Sequence, residues 1–282
     1  MKQFVLGSAN FNQRYGFQKK KINQKHLKKI LGQKKIKYLD TSFDYRLNEK
    51  FIKKINFQNL KIITKIKIPL KKKNSFLKNV EKKIENNLSI FKKKNFEAIL
   101  FHNPDDLKFS QGRKLLSILR NLKNRKKIKK IGVSIYEPND LDHILKVFVP
   151  DIVQFPLNIF NQNFIKHRYF QHLLKKNTIF QVRSIFLQGI LLKNSKKLKG
   201  FKMNKKISSN LEKFDNFCKK KNISRIEACI YFVNSIKGIK LITFGINNKF
   251  ELKEILKIFN RKKKIKFENL NLDNKSVDPR LW

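Results

Sequence analysis

Acid is what this chain is short of: 20 Asp plus Glu stand against 67 Lys plus Arg, a formal charge of +47 over 282 residues. Cysteine is scarce too. Cys218 and Cys229 are too few for a disulfide framework or a zinc quartet, and such usage fits a reducing cytoplasm and a metal-free protein. Only 9 glycines occur, and none forms a G-x-G-x-x-G or G-x-x-x-x-G-K-S/T phosphate loop, so a nucleotide must be held in another way. No apolar run reaches the roughly 18 to 20 residues of a membrane helix; the stretch Ile144 to Leu157 is broken by Lys146, Pro150 and Asp151. The opening MKQFVLGSANFN turns polar after Leu6, too soon for a signal peptide. Neither export nor membrane spanning is expected.

What is present is a core. Hydrophobic residues make up 40% and aromatics 12%, which excludes the low-apolar, high-charge composition that disorders a chain. The positive charge is spread over nearly every segment, as in Lys28 and Lys29, Lys71 to Lys73, Lys126 to Lys130 and Lys262 to Lys264, and does not gather in one stripe. Lysine also greatly outnumbers arginine, the residue whose planar fork reads bases and phosphates. Lys, Asn, Ile and Phe share AT-rich codons, and compositional drift explains the charge better than a specific nucleic-acid role.

Short β-branched runs alternate with stretches of helical period from end to end, without a Pro/Gly/Ser linker, so residues 1–282 read as one domain of repeated β-α units. The expected strands are Phe4 to Ala9, Ile36 to Thr41, Leu60 to Ile66, Phe96 to His102, Ile128 to Ile135, Ile152 to Phe155, Thr178 to Ser184 and Leu241 to Gly245. Helical segments between them include Phe76 to Ile90, Arg113 to Leu122, Leu211 to Lys221, Arg225 to Val233 and Phe250 to Phe259. About eight such units over about 250 residues is the size of a closed TIM (β/α)8 barrel, with a doubly wound open sheet as competitor.

The strand ends carry the polar residues: Asp40, Lys65, His102, Ser134 and Gln154, with Tyr45 just after Asp40. Together they make chemical sense. A phenol near pKa 10 is a poor acid at neutrality; a nearby ammonium lowers its pKa, and a carboxylate keeps that ammonium charged. Asp40, Lys65 and Tyr45 thus read as a tuned general acid, and His102 as a donor that orients a carbonyl oxygen. The structural alternative makes Asp40 a strand-end turn former and Asp44 a nearby cap, while His26, His143, His167 and His172 read as surface or packing residues. Tyr38, Tyr169 and Tyr231 read as packing, Tyr15 and Tyr136 as residues of the mouth, and both cysteines as small core residues. The Lys- and Ser-rich stretch Leu187 to Asn210 reads as a loop over the site.

Asp40-Thr41-Ser42-Phe43-Asp44-Tyr45 resembles the D-T-A-x-x-Y motif of the aldo/keto reductases. Ile63-Thr64-Lys65, Leu100-Phe101-His102-Asn103-Pro104 and Ile131-Gly132-Val133-Ser134 resemble that family's next strand-end motifs, in order. The likeness begins at Leu6-Gly7-Ser8-Ala9-Asn10-Phe11. It runs through Val153 to Asn158, Phe180 to Ser184 and Leu187-Gln188-Gly189 to Thr243-Phe244-Gly245-Ile246-Asn247.

That resemblance implies a TIM barrel, a small-molecule carbonyl substrate (an aldehyde, ketone or sugar-like carbonyl) and a nicotinamide cofactor, most often NADPH, with NAD as the alternative. It makes Tyr45 the general acid, Lys65 and Asp40 its tuning pair, and His102 the orienting residue. It assigns the cofactor to Ser134, Gln154, Arg183, Ser184, Gly245, Asn247 and Lys249. The chain departs from the pattern with Arg46 after the tyrosine, Ile135 after Ser134, Arg183 where an aromatic often stacks, and Glu251 where a basic residue usually grips a 2′-phosphate. The rival reading is a non-catalytic, cofactor-binding barrel acting as a redox-responsive regulatory subunit.

Overall fold

The computed structural model describes residues 1–11, 22–45, 49–53, 55, 57–71, 73–195, 205–261 and 263–278. Arg46, Tyr15 and the middle of the stretch Leu187 to Asn210 lie outside them. The strands are β1 (Gln3–Gly7), β2 (Tyr38–Asp40), β3 (Lys61–Ile66), β4 (Ala98–Phe101), β5 (Ile131–Ser134), β6 (Ile152–Pro156), β7 (Ile179–Arg183) and β8 (Ile239–Phe244). All neighbours pair parallel, and β8 returns to β1, closing a TIM barrel in sequence order. The helices are α1 (Gln24–Leu31), α2 (Glu49–Ile52), α3 (Lys73–Ile90), α4 (Ser110–Asn124), α5 (Leu141–Ile144), α6 (Asn163–Lys166), α7 (Arg168–Lys175), α8 (Lys205–Lys220), α9 (Arg225–Ser235), α10 (Lys249–Phe259) and α11 (Asn274–Val277).

Two hydrophobic bodies hold this together. The larger lies between the strands' outer faces and the helices; α4, for example, buries Leu115, Leu119 and Leu122 at helical spacing. The smaller fills the barrel itself: Val5, Ile63, Ala98, Leu100, Ile152 and Leu241, with Tyr38 and Ile179 packed against it. Because side chains alternate across a strand, the residue two positions beyond each inward apolar residue also points inward. On β2, β3, β6 and just past β4 that residue is Asp40, Lys65, Gln154 and His102. The apolar plug is therefore the floor of a polar mouth. Gly132 permits the close approach of β5 to β6, since a Cβ there would lie 2.2 Å from the Ile152 carbonyl oxygen.

Six of the strands are shorter than the expected runs because the flanking residues leave the ladder for loops, whereas β6 and β8 are each one residue longer. The short helices α2, α6 and α11 have too few turns to show a period in sequence. The tail beyond α10 docks on the β6 loop, where Leu272 N–H donates to the Phe160 carbonyl at 2.8 Å and Leu270 and Val277 are buried. No described helix is long and apolar enough to cross a membrane.

Candidate active site

A network centred on one carboxylate occupies the mouth. Lys65 Nζ donates to Asp40 Oδ1 at 2.5 Å and to the Thr41 carbonyl at 3.0 Å. Gln154 Nε2 and Gln181 Nε2 both donate to Asp40 Oδ2, at 2.6 and 2.9 Å. Ser134 Oγ donates to Gln154 Oε1 at 3.1 Å, and Gln181 Nε2 also reaches Thr243 Oγ1 at 2.9 Å. Asp40 is 5% exposed, Lys65 2%, and the two glutamines 0%. A buried ion pair survives only when its remaining valences are satisfied, and the amides do this for Asp40. Four of the eight strands, β2, β3, β6 and β7, thereby meet at Asp40, and Ser134 and Thr243 join β5 and β8 to the network.

Tyr45 leans over this pair. Lys65 Nζ lies 5.7 Å from the Tyr45 ring centroid, and the His102 ring meets Tyr45 edge-on at 6.2 Å. Burial and the negative charge of Asp40 push the phenol above its ordinary value of 10.0, while Arg183 pulls the other way. The expected net lowering is thus not what the structure gives, because burial, the largest cause, together with Asp40 outweighs the opposing charge of Arg183. His102 Nδ1 lies 3.3 Å from Ser42 Oγ and 3.4 Å from Asp44 Oδ2. Burial raises the Asp44 carboxyl, but the His102 hydrogen bond and the charges of Lys67 and Lys83 bring it below its usual range. Asp44, read as a cap, instead supports His102.

These residues wall a cleft of about 520 Å³, within the usual range for ligand sites. Asp40, Tyr45, Lys65, His102, Ser134, Gln154, Arg183, Ser184, Gly245 and Asn247 all line it, together with Tyr136, Lys193 and Glu251. Lys249 does not; its ammonium lies over the Phe250 ring, 5.0 Å from the centroid. Arg183 stacks on Tyr136 at 4.4 Å and donates to the Ile135 carbonyl at 3.1 Å. After β7 the backbone is left-handed at Ser184, Leu187, Gln188 and Gly189, which folds this loop back over the cleft. Gln181 and Thr243 were not anticipated; their place on inward positions of β7 and β8 was the available signal. Ser8 Oγ, on the cleft wall, is buried without a hydrogen-bond partner among the described residues.

The remaining candidates behave as packing residues. His143 Nε2 meets the Pro104 carbonyl at 2.9 Å, and His167 Nδ1 accepts from Tyr169 N–H at the start of α7. Cys218 and Cys229 are buried free thiols, and burial pushes Cys218 up to about 11. No group of three or more metal-ligating side chains occurs among the described residues.

Fold and mouth place the chain among the (β/α)8 barrels that carry their chemistry at the C-terminal strand ends. The chain belongs to the aldo/keto reductase family, whose model matches residues 3–270, and it is an oxidoreductase. Among solved structures it is similar to the aldo-keto reductase AKR11C1 from Bacillus halodurans in its holo form. That match has a TM-score of 0.71 and 15% identity, covering 93% of this chain and 88% of the other. It is also similar to the glycerol dehydrogenase AKR11B4 from Gluconobacter oxydans, at TM-score 0.64 and 16% identity, covering 93% and 87%. At these identities the likeness speaks for the fold alone. No curated protein sequence matches the chain.

Proposed function

We propose that the chain is a cytoplasmic, single-domain NAD(P)H-dependent reductase of aldehydes, ketones or sugar-like carbonyls, with Tyr45 as its general acid. The observation that carries this reading is the convergence of Tyr45, the Lys65–Asp40 pair and His102 on one wall of the cleft. When bound, a nicotinamide dinucleotide supplies the hydride. Tyr45 gives its hydroxyl proton to the carbonyl oxygen, and Lys65 offsets the phenolate left behind. With its Nδ1 edge held by Ser42 Oγ and Asp44 Oδ2, His102 orients the same oxygen with its other ring nitrogen. Arg183, Ser184, Ser134 and Gln154 would hold the nicotinamide end, and Gly245 and Asn247 would border the adenosine end. The cleft's size and the unsatisfied Ser8 hydroxyl fit a polar ligand of that kind.

The test is Tyr45→Phe assayed by NAD(P)H oxidation against a panel of aldehydes and sugars. Carbonyl reduction should fall at least about 100-fold, because a positioned acid contributes that much or more. Nicotinamide fluorescence should show cofactor binding unchanged. Wild-type turnover by the variant, on a substrate the parent reduces, would remove Tyr45 from the role.

A further inference from the structure

We infer that Glu251 makes the chain select NADH over NADPH, by rejecting a phosphate on the adenosine ribose. The inference rests on the cleft being a dinucleotide site. Hydride and proton must reach one carbonyl, so the nicotinamide lies beside Tyr45 and the rest of the molecule runs to the other end of the cleft. That end is walled by Gly245, Asn247, Glu251 and Ile255. It is formed by the loop after β8 and the first turns of α10, where a barrel commonly holds phosphate on free N–H groups.

Here those donors are spent. Asn247 N–H donates to Glu251 Oε2 at 2.8 Å, and Asn247 Nδ2 donates to the same oxygen at 3.1 Å. Asn248 Nδ2 donates to Glu251 Oε1 at 3.3 Å. Asn248 Oδ1 in turn accepts the N–H groups of Phe250 and Glu251, at 2.9 and 3.0 Å. The helix start therefore holds a carboxylate of its own, and that charge already answers the dipole.

Every partner of the Glu251 carboxylate among the described residues is an amide, and none is a cation that would neutralise it. Lys249, next to the loop, turns to Phe250 and does not line the cleft. A carboxylate has lone pairs left to accept a ribose 2′-hydroxyl, whereas a 2′-phosphate would bring a second anion against it. Lys193 lines the cleft from the segment after β7 and is not among the partners of the Glu251 carboxylate.

The experiment is to titrate NADH and NADPH separately by calorimetry or nicotinamide fluorescence, with no carbonyl substrate present. The wild-type chain should bind NADH at least about tenfold more tightly. Glu251→Gln, which keeps the size of the side chain, should shift that ratio about tenfold toward NADPH, and Glu251→Lys should invert it. NADPH binding by the wild type as tight as NADH binding would overturn the inference while leaving the dinucleotide site in place. If neither dinucleotide binds, both fall.

Discussion

At the scale of single residues, the centre of the site is Asp40, a buried carboxylate answered by one ammonium and two amides. Removing the ammonium alone strands a charge. Lys65→Met should therefore cost about 3 to 5 kcal/mol of stability in urea unfolding, and adding Asp40→Asn should restore most of it. A double variant no more stable than the single would show that the pair is not coupled in this way. The raised phenol sets a second expectation. An acid works while it holds its proton, and upward displacement from 10.0 moves the loss of that proton to higher pH. The kcat/KM for carbonyl reduction should thus show no alkaline fall below about pH 10. A limb near about pH 8 that Tyr45→Phe abolishes would mean the phenol is lowered, as Lys65 alone would have it.

At the scale of elements, the pleat does the positioning. Tyr38 and Asp40, Ile63 and Lys65, Leu100 and His102, Ile152 and Gln154 are each two residues apart, so an apolar floor and a polar rim come from the same strands. This was partly legible beforehand: a polar residue ending an apolar run marks a strand end. Gln181 and Thr243 escaped because they sit inside their runs, where a polar residue has no meaning until its neighbours across the barrel are known. Gly132 shows the same difference. In sequence it belongs to a motif, while in the barrel it is the place where β5 meets the Ile152 backbone. Gly132→Ala should lower stability by about 2 kcal/mol or more, since backbone must move. A thermal melt matching that of the parent would refute the steric account.

At the scale of the whole molecule, charge dominates. Acids such as Glu97 and Asp151 already meet lysines, yet most of the 67 basic side chains have no acid to meet. A fold carrying +47 repels itself, and salt screens that repulsion beyond about 10 Å at 0.1 M. Raising sodium chloride from about 0.02 to about 0.3 M should lift the melting temperature by about 3 °C or more. A melting temperature indifferent to salt would mean that the charges are paired more fully than the composition implies.

By itself the sequence determined the repeating β-α order, the C-terminal strand ends to within a residue or two, and the candidate set Asp40, Tyr45, Lys65 and His102, because periodicity and local chemistry are properties of neighbouring residues. Tertiary structure alone decided which charges neutralise each other. Closing β8 onto β1 brings Gln181 to Asp40 across 141 positions of chain, and the turn into α10 folds Glu251 onto the amide of Asn247. Electrostatics depends on distance in space, so the direction of the Tyr45 shift and the sign of the cleft's far end had to await the closed barrel.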